Sequence, residues 1–185
     1  MEAAEVAIEQ RGLGELRARD LARATGCSVG AIYGVFPTLD ALVMAVNDRT
    51  LSALERAMEA ERWSSAPDAQ LAGFASAYLA FAARHRSRWA AVFQHRLPAG
   101  QVIAPDYAAR QASIFARVAA PIAQLSPGLS EPELRLVART LFSAVHGVVQ
   151  LGLEEKLGTL ALPVLDQQLR TLVAALASGL RRPTG

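Results

Sequence analysis

The chain has 185 residues, a formal net charge of +2 and 52% apolar residues, which suits a small headpiece on a larger body with a sizeable buried core. Its single cysteine, Cys27, excludes an internal disulfide and fits a reducing compartment. No signal peptide is visible, and Arg, Gln or Glu interrupts the apolar stretches before the roughly 20 residues that a membrane span needs, so a cytoplasmic chain with no membrane partner is expected.

Residues 2–11 read as a first helix with Ala4, Val6, Ala7 and Ile8 apolar, closed by a turn at Gly12-Leu13-Gly14. A short second helix follows, and Thr25-Gly26-Cys27 breaks it, with Gly26 free to take the positive φ that ends a helix tightly. Cys27 is expected to be a small buried apolar residue of that turn. Ser28 can cap a third helix, Ser28 to Gly34, through its hydroxyl. Leu21, Ala22, Ala24, Val29, Ile32, Tyr33 and Phe36 recur at helical spacing across the pair. Pro37 ends the third helix, and Thr38 caps a fourth that runs to about Arg62. Two short helices joined by a three-residue turn with a glycine form a helix-turn-helix, whose second helix enters a DNA major groove.

The linker Trp63-Ser64-Ser65-Ala66-Pro67 precedes a fifth helix, about Asp68 to His85, with Leu71, Phe74, Ala75, Tyr78, Leu79 and Ala82 on one face. A sixth spans about Ser87 to Phe93, and residues 94–105 form a loop. A seventh runs from about Asp106 to Leu125, where Pro121 should kink or shorten it. Ser130 and Glu133 make a capping box for an eighth helix, about Glu131 to Leu153. After a break at Gly158 to Pro163, a ninth helix reaches about Arg181. No strand-period alternation or fixed repeat appears, so the fold class is all-α: a helix-turn-helix headpiece over residues 1–46 and a helical body over residues 47–185, for which the family resemblance given next implies ligand binding and dimerisation.

The run D-L-A-x-x-x-G-x-S-x-G-x-I-Y-x-x-F-P-x-x-x-A-L is carried by Asp20, Leu21, Ala22, Gly26, Ser28, Gly30, Ile32, Tyr33, Phe36, Pro37, Ala41 and Leu42. It closely resembles the TetR/AcrR transcriptional regulators. The resemblance implies a homodimer on a palindromic double-stranded DNA operator, released by a small effector, with no cofactor and no metal. The DNA-facing positions it implies, together with the arginines beside the motif, are Arg17, Arg19, Arg23, Ser28, Val29, Gly30, Ala31, Tyr33, Gly34 and Thr38. The match to Tyr33 implies a phosphate contact. The chain departs from the family at Leu39, where a Lys usually follows the Phe-Pro, and at Gly34, where a polar or basic residue is common. Arg17 stands where a capping Ser or Thr is usual. Only about ten residues precede the first turn, whereas family members carry a basic arm and a fuller first helix; either the arm is absent or the sequence starts inside the natural protein.

Residues 1–50 hold five arginines and seven acids, a local charge of −2. Phosphate attraction dominates DNA affinity, so this balance favours a second reading, a ligand-binding or interaction module that kept the fold and lost its DNA. In the body, Phe74, Tyr78, Phe81, Trp89, Phe93, Phe115 and Phe142 with His146 are the candidate lining for a small apolar or aromatic effector. Trp89 with the His146-Gly147 pair resembles one subgroup of the family's ligand domains. Leu134, Val137, Leu141, Val145, Val148 and Leu151 on the eighth helix, and Leu165, Leu169, Leu172, Leu176 and Leu180 on the ninth, are the candidate dimer stripes. Arg84, His85, Arg86 and Arg88 form a basic knot at the end of the fifth helix, favourable at a helix C-terminus. An enzyme is not indicated: there is no metal-ligand spacing, nucleophile elbow or phosphate loop, and His85, His95 and His146 are far apart.

Overall fold

The computed structural model describes residues 1–60, 66–98, 100, 102–156 and 158–181. Among them are nine α-helices and no strand: α1 Glu2–Arg11, α2 Ala18–Thr25, α3 Val29–Val35, α4 Leu39–Ala60, α5 Pro67–Arg84, α6 Arg86–Gln94, α7 Pro105–Leu125, α8 Glu131–Leu153 and α9 Leu162–Leu180, with one 3-10 turn at Leu13–Glu15. The expected linker Trp63-Ser64-Ser65 and the expected end of the fourth helix at Arg62 lie outside the described residues.

The local signals act where the sequence places them. Gly26 takes φ 68° and closes α2 in the left-handed conformation. The Ser28 hydroxyl accepts from the Ala31 N–H at 3.1 Å, and Thr38 Oγ1 accepts from Ala41 N–H at 3.0 Å. At the start of α8, the Glu133 carboxylate accepts from the Ser130 N–H at 2.8 Å. The Ser130 hydroxyl and that bond hold its pKa below the usual glutamate value. Pro121 does not shorten α7, which continues to Leu125 around it. It is fully buried, so tertiary packing outweighs the lost backbone hydrogen bond.

Two compact units divide the chain: Met1–Leu54 with Arg84–Arg110, and Glu55–Ala83 with Gln111–Gly185. The core of the first is Ala4, Ala7, Ile8, Leu16, Leu21, Leu42, Val43, Val46 and Ala91, with Leu13, Ile32, Phe36 and Leu39 packed at its edge. It therefore draws α6 into the same unit as the helix-turn-helix. Asn47, also buried, donates to the Ala91 carbonyl at 3.3 Å and fixes α4 against α6.

The second unit is built on the α8–α9 hairpin and on α5 and α7. Along α9 the buried side chains are Leu165, Leu169, Val173 and Ala177, one every four residues. On α8 they are Ala138, Leu141, Val145, Val149 and Leu153. The two helices close tightly at Gly152, where an added Cβ would lie 2.6 Å from Leu165 Cδ2. Leu141, Val145, Leu165 and Leu169, four of the residues expected on a dimer face, are thus spent inside the protomer. The reason is periodicity: α8 and α9 are apolar on more than one face, and sequence spacing alone does not say which face looks inward. By length and hydropathy α8 would also pass for a membrane span, yet its acidic and basic residues Glu131, Glu133, Arg135 and Arg139 occupy the first turns.

Candidate nucleic-acid interface and aromatic cluster

Helix α3 has seven residues and only two of them, Val29 and Ile32, are half-buried; Gly30, Ala31, Tyr33, Gly34 and Val35 are exposed, as is its cap Ser28. Ile32 anchors it to the core of the first unit. Tyr33 is 43% exposed, so its ring does not fill that core. Gly30 and Gly34 are not demanded by intrachain packing. A Cβ at Gly34 would meet nothing within 4 Å, and one at Gly30 would meet only Ser28 Oγ at 3.7 Å. Ala31 lines an apolar groove of about 350 Å³ together with Met1, Leu21, Cys27, Val35 and Phe36. Cys27 is exposed, contrary to the expectation of burial. The left-handed Gly26 turns the chain outward there, and the thiol sits 3.0 Å from the Thr25 hydroxyl.

The three motif arginines differ in what already holds them. Arg17 precedes α2 and donates to the Gly14 carbonyl at 2.6 Å and to the Leu16 carbonyl at 3.0 Å. Arg23 lies 3.6 Å from Asp20, which Arg11 also approaches at 3.9 Å. Arg19 is exposed and has no partner among the described residues.

The acidic count over residues 1–50 is corrected by the fold. Segment Arg84–Arg110 belongs to the same unit and brings five arginines against one acid, Asp106. The unit then holds ten arginines and eight acids, a formal +2, which is the net charge of the whole chain. Several of its carboxylates are paired within it. Glu5 accepts from Arg49 at 2.9 Å, and Arg88 lies between Glu5 and Glu9 at 3.9 and 3.6 Å. Asp40 meets His95 at 2.9 Å, and Asp48 meets Arg110 at 2.7 Å. The basic knot is therefore split. Arg88 is committed to α1, and burial together with the Arg88 charge lowers the pKa of His85.

The aromatic candidates also divide. Trp89 and Phe93 pack edge to face at 5.7 Å, and α6 places both in the first unit. In the second unit Tyr78, Phe115, Phe142 and His146 form one cluster. His146 stacks on Phe142 at 5.8 Å and 21°, as their one-turn spacing predicts. Phe142 meets Tyr78 and Phe115 edge to face at 5.5 and 5.3 Å. Phe81 is buried and Phe74 half-buried on α5. A Cβ added at Gly147 would meet nothing within 4 Å, so among the described residues no neighbouring helix uses that glycine for close approach.

The Tyr78 hydroxyl and His146 Nδ1 are 2.8 Å apart. Burial lowers the His146 pKa below 6.5, and a side-chain hydrogen bond to Gln150 opposes it. The imidazole is therefore neutral at pH 7, Nδ1 accepts from the phenol, and Nε2–H is left for Gln150. As pH falls, the unfolded chain takes up this proton first, so the stability from neutral His146 is present above about pH 6.5 and is lost as pH drops through the lower folded value. Tyr78→Phe should raise the His146 pKa, read by NMR titration, and cost about 0.5–1.5 kcal/mol of stability at pH 7. An unmoved pKa would show that the phenol does not hold the imidazole.

The sequence pattern of the N-terminal domain of tetR-family bacterial regulatory proteins matches residues 1–46. That of the tetracyclin repressor-like C-terminal domain matches residues 71–176. The chain belongs to the TetR family of bacterial regulators. No curated protein matches it. Among solved structures, one of a Rhodococcus sp. RHA1 protein of unknown function is 25% identical with a TM-score of 0.76, covering 98% of this chain and 93% of that one. BioQ bound to its natural double-stranded DNA operator is 20% identical with a TM-score of 0.69, covering 97% and 94%. PfmR of Thermus thermophilus, a TetR family transcriptional regulator, is 18% identical with a TM-score of 0.63, covering 98% of each chain. The last two share the fold at low identity.

Proposed function

We propose that this TetR-family chain is a cytoplasmic repressor that binds a palindromic operator as a homodimer and leaves it when a small apolar or aromatic effector occupies the body. The observation that carries the reading is the exposed α3 on a unit that holds all of the chain's net positive charge. A headpiece with one recognition helix reads one half-site, and two-fold symmetry supplies the second. The resemblance of BioQ, whose structure contains its operator, is consistent with this use of the fold. The functional division proposed is a DNA-binding headpiece over residues 1–46 and a ligand and dimer body over residues 47–185.

For the effector, the Tyr78–Phe142–His146 cluster offers aromatic faces beside one hydrogen-bonding pair, with Phe115, Phe74 and Phe81 on the same unit. Trp89 and Phe93 remain candidates through the subgroup resemblance. Helix α4 is continuous from Leu39 to Ala60, so an effector that displaces its second half changes the headpiece at its first. DNA and effector affinities are then coupled by the same factor in both directions. For the dimer, the unspent apolar side chains are Leu136, Leu151, Leu160, Leu162, Val164 and Leu176, all at least 37% exposed.

The test is salt-titrated binding to duplexes that flank the chain's own gene. The expected result is a saturable two-fold footprint with nanomolar-range affinity that weakens steeply with salt. Binding no tighter than to random DNA would transfer the function to the second reading, a ligand or interaction module. Leu39 bears on that choice. It is half-buried against the headpiece core at the start of α4, where a Lys stem can pack with its charge outside. Leu39→Lys should strengthen binding to any duplex and steepen the salt dependence by about one phosphate contact; an unchanged slope would show that no phosphate passes this position.

A further inference from the structure

Helix α6 contributes Ala91 to the core that α1 and α4 share, and it meets those two helices through a few polar side chains as well. One of these contacts is short: His95 Nε2 and the Asp40 carboxylate are 2.9 Å apart. Arg88 lies 3.6 Å from Glu9 and 3.9 Å from Glu5, both longer than a hydrogen bond. Asn47 is 1% exposed. Its amide donates to the Ala91 carbonyl at 3.3 Å, an oxygen that already accepts from the His95 N–H at 3.1 Å. Asn47 Oδ1, Glu9 Oε2 and Arg88 Nε are buried and make no hydrogen bond among the described residues. Each of the three belongs to a contact between α6 and α1 or α4. Thr50, the other fully buried polar side chain described on α4, is satisfied by its own helix, donating to the Val46 carbonyl at 2.9 Å.

We propose that α6 is a detachable element of the first unit: these buried polar atoms leave its seam with α1 and α4 weak, and α6 opens locally while the rest of the unit stays folded. A buried polar atom without a partner carries a desolvation penalty that water removes as soon as the seam opens. The penalty therefore weighs on the docked state alone. Asn47 is its clearest source. A leucine at this position has nearly the same shape, removes the orphaned Oδ1 and creates no new orphan, because the Ala91 carbonyl keeps its bond from His95. Asn47 thus lowers stability in favour of mobility. The α6 member of the shared core is an alanine, one methyl group, so little apolar burial from that cluster opposes the opening. The unit is then a two-state element, with α6 docked or undocked. Opening needs neither DNA nor effector, so it is read on the full chain by itself.

The experiment is hydrogen exchange of the full chain, read by mass spectrometry at several denaturant concentrations, with thermal unfolding of the same samples. In the wild type, α6 amides should exchange faster than those of α1 and of the Leu42–Val46 stretch of α4, and with a weak dependence on denaturant, the mark of local opening. Asn47→Leu should slow α6 exchange by about 5–150-fold and raise the melting temperature by about 2–12 °C, the effect of relieving one buried orphan. Thr50→Val replaces a hydroxyl that is already satisfied and should leave α6 exchange unchanged. A second variant reaches the seam through its ion pair. Glu9→Met with Arg88→Met should leave α6 at least as protected as in the wild type, and Glu5 keeps Arg49 at 2.9 Å. Faster α6 exchange in that variant would show that the pair holds the seam closed. Three further results overturn the proposal. One is wild-type α6 exchanging only with the whole unit, at the rate of α1 and α4. Another is Asn47→Leu lowering the melting temperature and speeding α6 exchange, which would show that the amide is fully satisfied by a buried water and secures the helix. The third is an equal gain from Thr50→Val, which would place the effect in α4 and not at its contact with α6.

Discussion

Gly152→Val is expected to destabilise the second unit by about 1–3 kcal/mol, lowering the melting temperature by roughly 2–12 °C for a chain of this size. Its Cβ would lie 2.6 and 2.8 Å from the two methyl carbons of Leu165 and 3.3 Å from its Cγ. Leu165 is 2% exposed, so its side chain has no free space to retreat into, and α8 and α9 must part instead. Leu165→Ala alone removes buried methyl groups and should cost about 2–5 kcal/mol. The double variant is the informative one. Valine would occupy part of the space that the leucine vacates, so the pair should cost clearly less than the two single changes added together. Strictly additive costs, measured by denaturant or thermal unfolding, would show that the Gly152–Leu165 contact is not what holds the hairpin closed.

Helix ends are legible in the sequence because their causes are local: the left-handed Gly26, the Ser28 and Thr38 caps and the Ser130–Glu133 pair each act within four residues of chain. The stacking of His146 on Phe142 is legible for the same reason, a one-turn spacing on one helix. The electrostatics of the headpiece are not. Arg88 on α6 meets Glu5 and Glu9, and Arg110 on α7 meets Asp48; both arginines are remote in sequence from these acids, and only the fold places them in the same unit. Helix α6 belongs to that unit as well, so Trp89 and Phe93 are assigned to a different unit from the Tyr78–Phe142–His146 cluster, with which composition alone groups them. Cys27 defies its residue type, which is usually buried, because its position after a left-handed glycine decides otherwise. Among the arginines, number and spacing leave three equivalent candidates; hydrogen-bond partners distinguish Arg19 from Arg17 and Arg23.

Leu151→Glu combined with Leu176→Glu should convert the proposed dimer to a folded monomer and weaken operator binding by about 10²–10⁴-fold, the advantage that linking two half-site contacts supplies. Leu151 and Leu176 are 42% and 37% exposed, so a carboxylate at either position remains in water in the protomer and costs its fold little. In a two-fold interface each substitution is made twice and faces its own surroundings again, so four charges would be buried or crowded where four leucines had packed. The inward residues Leu141, Val145, Leu165 and Leu169 are buried and cannot serve as probes, because changing them destabilises the helix pair that presents the surface. Light scattering and circular dichroism separate the outcomes. A chain that stays dimeric with both glutamates in place would move the interface to another face. A folded monomer that still bound the operator at full affinity would show that one headpiece suffices, and the two half-site geometry would have to be abandoned.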